Sequence, residues 1–155
     1  MSMGNRLAET KTIVVLAAAA RTTTATSDAF KIPADCAAIT FIHDQNTVTG
    51  TSPTLDLSIE ISPDNSTWFG VARFAQFTAA AEKFLTIPFV GTNVGMSQTH
   101  STNWLGGTAD EKAGTGGVIN DVAMVPPPWF RVVATIGGTN PSFNGQVFAL
   151  VKSVL

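Results

Sequence analysis

Residues 54–62 read TLDLSIEIS, and this stretch decides the fold. Apolar and polar side chains alternate along it, the apolar ones being Leu55, Leu57, Ile59 and Ile61 and the polar ones Asp56, Ser58, Glu60 and Ser62. Such a period of two is typical of a β-strand with one face in a core and the other in water. The sequence therefore predicts that Leu57 and Ile59 are core residues of a strand.

The residues after this strand predict a hairpin. Proline fixes its own φ angle, and Asp and Asn side chains bond to nearby backbone groups, so PDNS at 63–66 indicates a turn. The segment WFGVARF at 68–74 then returns as the second strand of the hairpin.

Short apolar runs predict the remaining strands, at 12–20, 37–43, 84–90, 129–136 and 143–155. Pro88 suggests an edge position for one of them, because proline cannot donate a hydrogen bond to a neighbouring strand. Gly145 suggests a β-bulge in the last strand.

Three segments between these strands are predicted to interrupt them. Residues 44–53 and 137–142 are polar and contain Gly, Pro and Asn, so they are expected to form turns. Residues 79–82 are expected to form a helical turn.

The pattern as a whole predicts an all-β fold. No segment of ten or more residues has a helical period, and about seven to eight short strands with Gly- and Pro-rich turns indicate an antiparallel β-sandwich, jelly-roll or immunoglobulin-like. We expect one sandwich domain at 11–155, preceded by an N-terminal arm at 1–10. The segment 91–120 has no sustained period and is expected to be a long functional loop.

Composition favours a protein whose surface makes contacts. Of the 155 residues, 45% are hydrophobic and only 13% charged, against about 25% in ordinary soluble domains. A poorly charged surface is less well protected against association. The net charge is −2 with no basic cluster, which argues against a nucleic-acid partner. The apolar run at 13–20 is too short to cross a membrane and fits a strand better than a targeting signal, so no membrane partner is expected.

Residues that could carry chemistry are few. His43 and Asp44 resemble acid–base machinery but have no nucleophile near them in sequence, and the favoured interpretation is a pair of solvated side chains at a strand end. His100 lies beside Ser101 in the long loop, and Cys36 is expected to be a buried, inert thiol. The sequence predicts a protein that is not an enzyme and has no cofactor, metal site or small-molecule substrate.

Candidate interaction residues come from the arm, the loop and one strand. Trp104 and Leu105 lie in the long loop, Arg6 and Leu7 lie in the arm, and Trp129 begins a strand. Buried Trp side chains often anchor protein contacts, so these residues are predicted to bind other subunits. Because exposed tryptophans also stack on sugars, a carbohydrate-binding module is the alternative from a different class.

Two parts of the chain carry a family resemblance. The segments 52–69 and 74–78, together with 129–155 (WFRVVATIGGTNPSFNGQVFALVKSVL), resemble virion structural proteins of tailed bacteriophages. The resemblance implies a small β-sandwich on the phage particle. The leading expectation is a trimeric capsid cement or decoration protein on the phage head surface, which bridges neighbouring capsomers and binds the major capsid protein. The alternative is a head–tail junction or tail protein.

Overall fold

The computed structural model describes residues 10–89 and 128–153, which form seven antiparallel strands. The strands are β1 (Thr10–Arg21), β2 (Ala25–Thr26), β3 (Phe30–Lys31), β4 (Cys36–Ser62), β5 (Phe69–Arg73), β6 (Ala81–Pro88) and β7 (Trp129–Ser153). These two ranges contain no helix, so the all-β prediction is confirmed. Residues 1–9 of the predicted arm and the predicted loop at 91–120 lie outside the described residues.

Two strands are much longer than predicted: β4 has 27 residues and β7 has 25, and they pair with each other along nearly their whole length. A straight strand would place Phe41 and Ile61 roughly 65 Å apart at about 3.3 Å per residue. Yet the ring of Phe41 lies 6.1 Å from that of Phe130, which is the partner of Ile61 in the sheet. The β4–β7 ribbon therefore folds back on itself, and its two ends form the layers of a sandwich.

At each end of the ribbon, further strands pair with the outer sides of β4 and β7, so that each end becomes a half-sheet. Half-sheet 1 has the order β1-β7-β4-β6 and uses residues 36–49 of β4 and 142–153 of β7. In half-sheet 2, β7 pairs with the short strands β2 and β3, and β4 pairs with β5, through residues 54–62 and 129–137. This arrangement confirms an antiparallel β-sandwich.

A corner in each long strand lets the ribbon bend. The corner residues are Gly-Thr-Ser-Pro at 50–53 and Gly-Thr-Asn-Pro at 138–141, with Thr51 opposite Thr139. Gly50 has a φ of 114° and Gly138 one of 107°, a region that side chains with a Cβ rarely adopt. The predictions of turns at 44–53 and 137–142 were wrong, because these residues lie inside two continuous strands, which bend at their corners from one layer to the other without ending.

Phenylalanine rings fill the space between the half-sheets. The ring of Phe130 lies 6.0 Å from that of Phe30 and 6.1 Å from those of Phe41 and Phe89. Offset and tilted aromatic pairs at such distances stabilise a core beyond the area they bury.

The predicted core residues of β4 are confirmed. Leu57 and Ile59 are 1% and 0% exposed. Cys36, expected to be a buried thiol, is buried at the start of β4 and donates to the carbonyl oxygen of Ala38. Burial raises the pKa of the Cys36 thiol, which keeps it in its less reactive neutral form.

The polar face of residues 54–62 is not in water as predicted. Ser58, Glu60 and Ser62 are buried. The guanidinium of Arg131 lies 2.7 Å from Oε2 of Glu60 and 4.2 Å from the ring of Trp68. The prediction was wrong because the outer face of this strand carries a stacked ion pair that shields the carboxylate from solvent.

The hairpin at 54–74 is confirmed, since β5 pairs antiparallel with β4. Its turn is closed by Asp64, whose carboxylate accepts hydrogen bonds from the backbone N–H groups of Ser66 and Thr67. These bonds hold the pKa of Asp64 well below its usual range.

Two smaller predictions were wrong. Residues 79–82 do not form a helical turn, because β6 begins at Ala81, which pairs with Gln45. The sequence predicted a β-bulge at Gly145 in β7. The pairing is irregular next to the pair of Gly145 and Gln45, but the extra residue of the bulge lies in β4, between Gln45 and Thr47.

Candidate interaction surface

A row of four apolar side chains crosses the outer face of half-sheet 1. Phe148 pairs with Val14 on one side and with Ile42 on the other, and Ile42 pairs with Phe84. Side chains of directly paired residues lie on the same face of an antiparallel sheet. Val14, Phe148, Ile42 and Phe84 therefore form one continuous line from β1 to β6, which we call the apolar row.

Strand alternation places the apolar row outside the core. The neighbours of Ile42 in β4, Phe41 and His43, are buried, and Ile42 itself is only half-buried. At the two ends of the row, Val14 is 58% exposed and Phe84 is 76% exposed. Large apolar side chains aligned on a surface in this way mark contact sites more often than isolated ones do.

Polar residues border the apolar row on both sides. Asp44 pairs with Glu82 and Gln146, and its carboxylate accepts a hydrogen bond of 3.1 Å from the Gln146 amide. On the other side, the hydroxyls of Thr40 and Thr86 lie 2.8 Å apart. An apolar centre with a polar rim is the usual composition of a protein–protein interface.

His43 and Asp44, the acid–base candidates of the sequence, lie on opposite faces of half-sheet 1. Asp44 points to the outer face of half-sheet 1, whereas His43 is 3% exposed and lies inside the sandwich. The favoured interpretation of two solvated side chains was therefore wrong for His43. The error has a physical reason: residue 43 lies inside a long strand and not at a strand end, so its side chain faces the core.

His43 is held as a neutral ring. Its Nε2 lies 3.0 Å from Oε1 of Gln45, whose amide nitrogen donates to the carbonyl oxygens of Thr47 and Asn144. These bonds orient the Gln45 oxygen towards His43, so Nε2 carries the proton. Burial lowers the pKa of His43, because it disfavours the charged imidazolium, and the bond to Gln45 offsets only part of this effect.

A small pocket lies beside His43. Arg21 and Gln45 line it together with apolar residues from both half-sheets. It encloses about 10 Å³, which is room for a single water-sized molecule. Gly145 allows the strands to pack closely here, because a Cβ at this position would lie 2.7 Å from both the backbone carbonyl oxygen of Asp44 and Oε1 of Gln45.

Trp68 and Trp129, the two tryptophans among the described residues, each have a cationic side chain over the ring. The amino group of Lys31 lies 4.5 Å from the ring of Trp129, and the guanidinium of Arg131 lies 4.2 Å from that of Trp68. Trp129 is half-buried at the start of β7, and its predicted role in binding other subunits stays a prediction. The other predicted interaction residues, Trp104, Leu105, Arg6 and Leu7, lie outside the described residues, as does His100.

The described residues contain no group of three or more His, Cys, Asp or Glu side chains that could hold a metal ion. Nor does any helix among them have the length and apolar character needed to cross a membrane.

Sequence reasoning missed the apolar row, although a signal was present. The strands at 37–43 and 143–151 are apolar at consecutive positions, as in Phe41-Ile42 and Val147-Phe148. A strand that is apolar on both faces is normally covered on both faces. The runs therefore indicated a second contact surface, but only the sheet register shows which residues line up to form it.

No known protein family and no curated protein sequence matches the chain. Among solved structures, it is similar to a chain in the structure of infectious bursal disease virus, Gx strain, with a TM-score of 0.51 and 10% sequence identity. The match covers 99% of this chain and 36% of the viral chain, so this chain spans about a third of the length of the viral one. At this identity the likeness concerns the fold.

Proposed function

We propose that this chain is a virion structural protein that works by packing against other subunits and not by catalysis. The observation that carries the proposal is the apolar row, whose ends Val14 and Phe84 are 58% and 76% exposed. Leaving such side chains in water brings no stability, whereas covering them with a partner contributes about 25 cal/mol per Å² of apolar surface.

The similarity to a chain of a virus particle supports the same role. It is a likeness of fold, so its weight comes from agreement with independent features: the low charge of the sequence and the resemblance of 52–69 and 129–155 to phage virion proteins. Sandwich subunits suit such a task, because they offer two outer sheet faces and several edges to neighbours.

Within this role we propose a capsid cement or decoration protein. It would lie on the head surface of a tailed phage, bind the major capsid protein and bridge neighbouring capsomers. Several modest contacts made at once hold such a protein through avidity, so no single interface has to be large. A head–tail junction or tail protein is the alternative within the same class, and the trimer implied by the resemblance stays a prediction.

A carbohydrate-binding module has less support. Such a module stacks sugars on open aromatic rings, whereas the rings of Trp68 and Trp129 already contact Arg131 and Lys31. Each cation covers one face of a ring that is itself half-buried, so little of either ring is open to a sugar.

The test uses phage particles assembled without this chain, to which purified protein is added before sedimentation. The parent protein should bind to saturation, and Phe84→Lys should bind more than tenfold more weakly, because losing a buried aromatic anchor costs about 2 kcal/mol or more. Phe69→Lys is the matched control: Phe69 is also exposed, at 55%, but it lies in half-sheet 2, away from the apolar row.

If Phe84→Lys and the parent bound equally well, the apolar row would not be part of the contact with the particle. No binding by the parent would contradict the proposed role on the particle.

A further inference from the structure

The outer face of half-sheet 1 is a regular grid of side chains from its four strands. One level of this grid is the apolar row, which contains Phe148. The next level along the strands contains Leu150, which is half-buried and pairs with Thr12 and Thr40. At this level the hydroxyl of Thr40 is hydrogen-bonded to that of Thr86. The two adjacent levels therefore form the apolar centre of the face.

Opposite charges lie at the two ends of this face. Lys152 is exposed and lies one level beyond Leu150. At the other end, Asp44 and Glu82 lie one level beyond the apolar row, level with Gln146. The six residues from Gln146 to Lys152 separate these ends by about 20 Å, at about 3.3 Å per residue. The face is thus cationic at one end, apolar in the middle and anionic at the other end.

We infer that this face packs against the same face of a second copy of this chain, about a two-fold axis that runs across the strands between the levels of Phe148 and Leu150. Such an axis turns the cationic end of each copy over the anionic end of the other. This inference rests on the proposed function, since it names the subunit that covers the apolar row.

Charge selects the direction of the axis. With the axis across the strands, Lys152 of each copy lies level with Asp44 and Gln146 of the other, so the attraction occurs twice in the dimer. A two-fold axis along the strands would instead bring Lys152 level with its own equivalent, and Asp44 level with its own. Juxtaposed like charges disfavour an interface, so only the first arrangement is self-complementary.

The same axis makes the apolar centres complementary. Phe148 of each copy would lie opposite Leu150 of the other, and side chains of two sheets packed face to face interdigitate. At the edge of the face, Phe84 would lie opposite Thr86 of the other copy. Phe84 is 76% exposed, so covering it removes apolar surface from water and stabilises the dimer.

The outer face of half-sheet 2 distributes its charges differently. There the guanidinium of Arg131 lies 2.7 Å from Oε2 of Glu60, and the amino group of Lys31 lies 4.5 Å from the ring of Trp129. These cations interact within the chain, whereas half-sheet 1 keeps its opposite charges at opposite ends of an apolar centre. A surface of that kind fits a partner whose charges run the other way, and a second copy turned about the axis is such a partner.

A dimer of this kind also has a consequence for attachment to a particle. It would offer two identical sets of contacts, and binding through both at once raises avidity. Phe84→Lys, which would weaken the dimer, should for this reason also weaken binding to particles.

The test measures the mass of the free protein by sedimentation equilibrium. The parent should be a dimer. Lys152→Glu should weaken the dimer at least about tenfold, because a glutamate would then lie level with Asp44 in both halves of the interface. Lys31→Glu is the matched control: it makes the same change of charge at an exposed residue of half-sheet 2, and it should remain as dimeric as the parent.

A mixture of two variants tests the pairing itself. Asp44→Lys alone should also weaken the dimer, since it brings two lysines together. Mixed with Lys152→Glu, it should regain the dimer, because one half of the interface then pairs the original charges and the other half pairs reversed ones. Unchanged circular dichroism and melting would show that each variant is folded. If Asp44→Lys did not fold, the comparison of Lys152→Glu with Lys31→Glu would decide alone.

Several results would overturn the inference: a monomeric parent, Lys152→Glu that dimerises like the parent, Lys31→Glu that is weakened as much, or a mixture of folded variants that fails to regain the dimer. A monomeric parent that still binds phage particles would mean that a capsid component covers this face, and the proposed virion role would stand. A dimer that does not bind particles would contradict that role and leave the inference intact.

Discussion

Replacing Gly50 by alanine should destabilise the fold strongly, because Gly50 forms half of the corner that closes the sandwich. Its φ is 114°, and a Cβ there would lie 2.7 Å from the carbonyl oxygen of Asn140 and 2.8 Å from Cα of Pro141. Both of these are backbone atoms of the opposite strand, so no side-chain rotation can relieve the contact. The bend of β4 and the bend of β7 would have to move together.

The cost can be worked from these two effects. A residue with a Cβ in a sparsely populated backbone region costs about 1–3 kcal/mol. Forcing apart a well-packed contact adds about 1–3 kcal/mol. Gly50→Ala should therefore lower the free energy of unfolding by roughly 2–6 kcal/mol. In urea, with a slope of about 2 kcal/mol per M, the midpoint should fall by about 1–3 M.

Ser52→Gly is the matched control at the same corner. Ser52 has a φ of 48°, a left-handed conformation that glycine adopts without steric cost. This change should leave the free energy of unfolding within about 1 kcal/mol of the parent. If urea denaturation gave the same midpoint for Gly50→Ala as for the parent, the corner would not have this geometry, and the argument that the ribbon folds back on itself would fail.

Two further predictions concern the core. Since the pKa of His43 is lowered in the folded protein from an ordinary value of about 6.5, the unfolded chain takes up the proton first as the pH falls. The free energy of unfolding should therefore decrease as the pH falls below about 6.5. Thermal melts between about pH 7 and 5 should show this dependence in the parent but not in His43→Leu. An equal pH dependence in both proteins would contradict the assignment of His43 as a buried, neutral ring. Leu57→Ala should cost about 2–5 kcal/mol in thermal melts, because Leu57 is 1% exposed, whereas Asp56→Ala should change little; equal melts would contradict the core assignment.

The sequence predicted the parts of the fold that depend on local pattern. Alternation at 54–62 identified a strand and placed Leu57 and Ile59 in the core, and turn chemistry at 63–66 identified the hairpin. Local composition misled at 50–53 and 138–141, because Gly, Ser, Asn and Pro are typical of turns. These two segments lie opposite each other, and their conformation depends on that long-range pairing.

The candidate surface could not be predicted in the same way. Val14, Ile42, Phe84 and Phe148 are far apart in sequence and become neighbours only through the register of four strands. Similarly, alternation assigned Glu60 to water, because it does not reveal that Arg131 and Trp68 lie over that face. Patterns within a strand determine which residues share a face, but not what covers that face.

The proposed virion role can be tested most directly by quantitative mass spectrometry of virus particles purified from the source that encodes this chain. A cement or decoration role predicts that the chain remains with the particles through density-gradient purification, in a copy number comparable to that of the major capsid protein. A copy number far below this would favour the head–tail or tail alternative. Absence of the chain from intact, infectious particles would contradict the proposed role.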